Sequence, residues 1–111
     1  MRDFRFVAPG SLEDACQILD KTQGVVKVLA GGTDLIAQMQ DGKHRPSLVM
    51  DIKDVPEMNV LEYDDLVGLR IGAAVSCTDI SSHSAVREKY CSIMESCLLV
   101  GATQIQNRAS V

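Results

Sequence analysis

Two adjacent glycines carry the clearest chemical signal in this sequence, within Val28-Leu29-Ala30-Gly31-Gly32-Thr33-Asp34-Leu35. A β-branched apolar run leads in and a helical pattern leads out, so the glycines fall on a strand-to-helix turn. Without a Cβ they let the backbone approach a ligand closely. Amides in the first turn of a helix are unpaired, point outward and carry the positive end of the dipole, which suits a phosphate or pyrophosphate. Thr33 can add a hydroxyl donor or act as the N-cap. Asp34 competes with an anion for the same dipole unless it faces away or reaches back to the loop amides. The turn has neither G-x-G-x-x-G spacing nor the lysine of a Walker loop. A tight strand-to-helix connection is the rival reading of the same two glycines, and the motif alone leaves both open.

A second candidate lies in residues 101–111, where Gln104, Gln106, Asn107 and Arg108 follow an apolar helix. Amides and a guanidinium suit the polar rim of a cofactor, and Arg108 suits a phosphate. A solvated surface loop explains the same residues. His44 and His83 stand apart from each other and read as surface histidines. Ser81-Ser82-His83-Ser84 does not make a triad, because neighbours on one turn do not converge on a reacting atom. Asp51 and Asp54, near a strand end, read as turn residues. Cys16, Cys77, Cys91 and Cys97 lack C-x-x-C spacing and histidine partners, which excludes a zinc or iron–sulfur motif within this chain. Cys16 and Cys97 fall on apolar helix faces and are expected in the core.

The elements that must position these residues alternate. Phe4 to Val7 reads as a short strand closed by Pro9-Gly10, and Ser11 caps a helix whose stripe is Leu12, Ala15, Cys16 and Leu19. Residues 25–29 read as a buried strand, 34–40 as a helix stopped at Gly42, and 48–52 as the next strand. This order predicts a parallel βαβαβ unit over residues 1–56. A different texture follows in residues 57–111. Residues 60–63 and 66–71 predict an antiparallel hairpin with Asp64-Asp65 between its strands. Thr78 is a candidate cap of a short helix, and a further helix starts near Ser84, breaks around Tyr90 and stops by Gly101. Residues 103–108 read as a polar loop, and Ala109-Ser110-Val111 as the start of a strand, so the chain is expected to stop mid-structure.

Composition bounds the function. The chain has 111 residues, 46% of them hydrophobic but only 4% aromatic and none Trp, so its core must be aliphatic. A net charge of −4 with scattered acids offers no basic patch for nucleic acid. No stretch reaches the roughly 18 apolar residues of a membrane span. The first residues lack the apolar core of a signal peptide, which makes the cytoplasm the expected compartment.

Taken together, these blocks resemble the FAD-binding subunit of the molybdenum hydroxylases, the family of xanthine dehydrogenase and the carbon monoxide dehydrogenase medium subunit. The resemblance is carried by Phe4-Arg5-Phe6-Val7-Ala8-Pro9, Ser11-Leu12-Glu13-Asp14-Ala15 and Leu29-Ala30-Gly31-Gly32-Thr33-Asp34-Leu35. It continues through Val49-Met50-Asp51-Ile52, Leu69-Arg70-Ile71-Gly72-Ala73 and Gln104-Ile105-Gln106-Asn107-Arg108-Ala109-Ser110-Val111, in the family's order over essentially the whole chain. It implies an α+β, vanillyl-alcohol-oxidase-type FAD fold: a small βαβαβ subdomain, then the beginning of a larger antiparallel-sheet subdomain. It further implies that Lys27, Val28, Leu29, Ala30, Gly31, Gly32, Thr33 and Asp34 form the first phosphate-binding segment. Val100 would lie near the flavin, and Ser110 and Val111 would open the second segment. In relatives that segment continues into Gly-Gly-Asn, and an arginine usually stands where this chain has Gln106. The implied cofactor is FAD, with the molybdenum cofactor and [2Fe–2S] clusters on partner subunits or domains and NAD or another molecule as electron acceptor. No residue of this chain is expected to be catalytic, and the fragment alone is expected to be inactive. The alternative is a non-catalytic interaction or scaffold domain of the same fold that does not retain flavin.

Overall fold

In the computed structural model, which describes residues 3–111, the first half of the chain forms a parallel sheet with one helix on each face. Strand β1 (Arg5–Val7) and strand β2 (Val26–Leu29) flank strand β3 (Leu48–Asp51), in the order β1-β3-β2. Arg5 and Val26 both register with Leu48, and Val7 and Val28 with Met50. β3 therefore holds the core, with Leu48, Val49 and Met50 all buried. The expectation that residues 25–29 form a buried strand is corrected here: β2 is an edge strand, with Val25 56% and Val28 45% exposed. A β-branched run signals strand propensity but not position in the sheet, which the crossovers decide.

Helix α1 (Leu12–Lys21) starts where Ser11 Oγ accepts from the Asp14 amide at 3.1 Å. Glu13 and Asp14 complement the positive end of its dipole, and Lys21 the negative end. Ala15 and Ile18 of α1 pack with Val7, Val26, Met50, Ile52 and Val55, forming one core cluster. Cys16, expected in that core, is exposed: the stripe is wider than the face that a three-stranded sheet covers, and Leu12 and Leu19 are exposed too. Helix α2 (Leu35–Gln40) covers the opposite face, where Leu35, Ile36 and Met39 meet Phe4, Phe6, Leu29 and Val49. It ends at Gly42, whose φ of +75° suits glycine.

A 3₁₀ turn, Pro56–Asn59, leads to a hairpin of β4 (Leu61–Asp64) and β5 (Gly68–Ile71). The second strand is shorter than the expected residues 66–71. Asp64 Oδ1 accepts from the amides of Leu66 and Val67 at 2.8 and 3.0 Å, drawing both into the turn. Helices α3 (Cys77–Ser82), α4 (Ser84–Lys89) and α5 (Cys91–Leu98) follow, with the expected break at Tyr90 between the last two. Ser76, not Thr78, caps α3, its Oγ accepting from the Asp79 amide at 3.1 Å. Both residues are competent caps, but the chain is already helical at Thr78. Val75, Cys77, Ile80, Val86, Cys97 and Ala109 form a second core cluster. Residues 103–108, expected as a polar loop, include a short helix, α6 (Thr103–Gln106). Polar composition masked the turn, which closes through Gln106 N–H to Ala102 O at 3.0 Å. No helix among the described residues is long and apolar enough to cross a membrane.

Candidate functional site

The glycine turn leaves β2 at Leu29 and enters α2 at Leu35, as its residue pattern predicts. Gly32 adopts φ +80°, a conformation that a side chain disfavours. Among the described residues, the N–H groups of Gly31, Gly32, Thr33 and Asp34 donate to no backbone or side-chain acceptor. The first helical bonds are instead Ile36 N–H to Gly32 O at 3.1 Å and Gln38 N–H to Asp34 O at 3.0 Å. Asp34 resolves its conflict by facing away. Its Oδ2 accepts from Gln38 Nε2 at 2.5 Å along the exposed flank of α2, and it makes no capping bond. Thr33 is exposed and leaves its hydroxyl available. With only six residues α2 adds little dipole, so an anion at this turn would depend chiefly on the turn's own amides.

A second backbone segment lies against this turn. Arg108 O and Gly31 Cα are packed so closely that a Cβ built on Gly31 would collide with that oxygen, and it would sit 3.0 Å from Ala109 Cα. Ala109 is buried, and its carbonyl accepts from the Cys77 amide at 2.8 Å. Ser110 forms an isolated antiparallel bridge with Ser76, the extended backbone expected there. Asn107 Oδ1 accepts from Thr78 Oγ1 at 2.7 Å, and Gln106 Nε2 donates to Leu98 O at 2.9 Å. Gln106 thus holds the end of α5, and Arg108 presents an exposed side chain.

Of the residues singled out in the sequence, Ala30, Gly31, Gly32, Thr33 and Asp34 form the turn itself, and Gly31 joins it to the chain leading into Ser110. Lys27 and Val28 lie upstream on β2. Lys27 registers with Val49, while Val28 lies over the α1 side beside Leu12 and Cys16. Leu29 faces α2. Val100 packs against the second core cluster. Val111, 65% exposed, lines a shallow apolar depression with Ile71, Ile93 and Cys97. The contribution of the Arg108 and Ala109 backbone was hidden in the sequence, where Arg108 draws notice only for its charge. A glycine at an ordinary φ marks such close approach, and that is visible only in coordinates.

The other candidates stay apart from the turn. Ser81 Oγ donates to Thr78 O at 3.1 Å rather than engaging His83, whose Nδ1 is buried without a partner. Asp51 Oδ1 accepts from the Lys53 amide at 2.9 Å, as a turn residue does. No cluster of His, Cys, Asp or Glu able to hold a metal ion occurs among the described residues. The perturbed groups all belong to the second half. The Tyr63 hydroxyl is pushed up by Asp65 beside it, the Cys91 thiol by Glu95, and the Cys97 thiol by burial and then by Cys77. None of the three adjoins the turn's free amides.

Residues 2–111 match the family described as the FAD binding domain in molybdopterin dehydrogenase. The chain belongs to this family. It is 32% identical over 112 residues to the nicotinate dehydrogenase FAD-subunit of Eubacterium barkeri, covering 100% of this chain and 38% of that one. It is also 32% identical to the aldehyde oxidoreductase FAD-binding subunit PaoB of Escherichia coli (strain K12), over 99% of this chain and 34% of that subunit. Among solved structures, carbon monoxide dehydrogenase from Hydrogenophaga pseudoflava superposes with a TM-score of 0.90 at 27% identity, covering 98% of this chain and 38% of that chain. The chain therefore spans little more than a third of the length of these relatives. The α+β architecture is that of the molybdenum-hydroxylase FAD-binding domain. The residues of the turn are compatible with a dinucleotide: four consecutive N–H groups without an acceptor in the chain are the kind of donor that phosphate oxygens take.

Proposed function

We propose that this chain is the first part of a flavin subunit that relays electrons within a molybdenum hydroxylase. In this reading residues 1–56 form the small FAD subdomain and residues 57–111 begin the second. The free amides of Gly31, Gly32, Thr33 and Asp34 are the observation that carries it. They offer a pyrophosphate several donors that nothing in the chain competes for, and Thr33 adds a hydroxyl. Leu29 and Ala30 shape the approach from β2, with Lys27 and Val28 behind them, and Ser110 and Val111 open the second binding segment. In this reading Val100 lies near the flavin.

A flavin bound by these residues would supply the redox chemistry of a relay between molybdenum and [2Fe–2S] centres on partner subunits and NAD or another acceptor. The chain's residues bind and orient, and no side chain here is asked to move a proton. The relatives are named for nicotinate and aldehyde oxidation, but this chain touches no organic substrate in the proposed scheme, which leaves substrate choice to the molybdenum-bearing partner.

The full-length subunit containing this chain, purified without added flavin, is expected to be yellow and to carry about one FAD per polypeptide by absorbance after denaturation. A flavin-free subunit that also fails to take up added FAD would refute the proposal and favour a scaffold role.

A further inference from the structure

Gly31 and Gly32 are neighbours in sequence but are constrained differently. Gly32 is held to glycine by its φ of +80°. Gly31 has no positive φ, so its backbone would accept any residue. What excludes a side chain at Gly31 is space. A Cβ there would collide with the carbonyl oxygen of Arg108, 2.9 Å from its carbon and 3.0 Å from Ala109 Cα. Ordinary contact needs 3.4–4 Å, and the nearest atom, the Arg108 oxygen, requires one of the two backbones to retreat by roughly an ångström.

The Arg108–Ala109 backbone cannot retreat easily. The Arg108 and Ala109 amides both donate to Ile105 O, at 3.0 and 2.7 Å, and Ala109 O accepts from the Cys77 amide at 2.8 Å. Ala109 is 6% exposed within the second core cluster, Ser110 is bridged to Ser76, and Asn107 is tied to Thr78. The glycine turn would move instead, carrying its free amides with it.

We infer that Gly31 is a positioning residue: it sets the distance between the glycine turn and the anchored Arg108–Ala109 backbone, and so fixes where the turn's own free amides stand for a pyrophosphate. This rests on the FAD reading above. Displacing oriented donors by about an ångström weakens them without deleting any.

The test compares the full-length subunit with its Gly31→Ala variant, titrating each apoprotein with FAD and with riboflavin, which lacks the pyrophosphate. The expected result is a roughly 10- to 100-fold rise in the FAD dissociation constant with riboflavin affinity unchanged. Equal losses for both ligands would make Gly31 merely structural, and an unchanged FAD affinity would remove it from the site. Wild-type protein that binds no FAD would overturn the underlying reading instead. Should the Ala variant not fold, Thr78→Val loosens the same segment from the other side by deleting the hydroxyl bond to Asn107. It is expected to weaken FAD about threefold and leave riboflavin binding intact, and a wild-type FAD affinity would count against the inference.

Discussion

Residues 30–34 and residues 105–110 touch at Gly31, yet they treat their backbones in opposite ways. In the second segment the amides of residues 105–109 are engaged: Ile105 and Gln106 donate to Ala102 O, Asn107 to Thr103 O, and Arg108 and Ala109 to Ile105 O. In the first, four consecutive amides from Gly31 to Asp34 have no acceptor in the chain. A buried turn could not tolerate that, but Thr33 and Asp34 are exposed, which leaves their donors open to solvent. The contrast separates two tasks that a backbone anion site must perform. One segment keeps its donors free for the ligand. The other saturates its own donors and so holds still against the core. A site built from two free segments would have no fixed spacing, and one built from two saturated segments would have nothing to offer.

Breaking the anchor should have the largest effect. Ile80 is fully buried beneath the second segment, in the cluster that holds Ala109. Ile80→Ala is expected to cost about 2–5 kcal/mol of stability, read from urea unfolding of the flavin-free subunit. A loss below about 1 kcal/mol would show that the cluster does not anchor the segment. Breaking the donor side instead should spare stability more and binding less. Gly32→Val forces a β-branched residue to φ +80°, with its Cβ 2.9 Å from Leu29 Cδ1 and 3.0 Å from Ile36 Cδ1. FAD affinity of the full-length subunit is expected to fall by about 100-fold, or some 2.7 kcal/mol, in a fluorescence titration. An unchanged affinity would reduce the turn to a strand-to-helix connection.

The first half of the chain was more legible than the second. Its strands and helices announced themselves through apolar runs and capping residues, and Ser11, Gly32 and Gly42 all do locally what their types suggest. What the pattern did not carry was the order of strands. Val25 and Val28 look like core residues in sequence, but β2 lies at the edge and both are exposed. In the second half local signals competed. Asp64 captured Leu66 and Val67 for the turn although β-branched Val67 favours strands, and Ser76 took the cap two residues ahead of Thr78. The glycine turn was readable as a possible anion site because its chemistry is local. Its partner was not, because the surface that meets Gly31 is a carbonyl, and every residue has one.

Asp34 offers the finest probe of the contrast between free and saturated segments. Its carboxylate turns onto Gln38, yet its own amide is one of the four donors proposed to hold a doubly charged pyrophosphate. An exposed charge at a helix N-terminus shifts anion binding by about 0.3–1 kcal/mol, because solvent and salt screen it. Asp34→Asn keeps the size and an acceptor for Gln38 while removing that repulsion. FAD affinity is expected to rise about two- to fivefold at low ionic strength, with the advantage shrinking as salt is raised toward 0.5 M, beyond the screening length of about 10 Å that holds at 0.1 M. A loss of affinity would show that the carboxylate orders the turn through Gln38 more than it repels the ligand. The free amides would then owe their geometry to that side-chain pair rather than to the glycines alone.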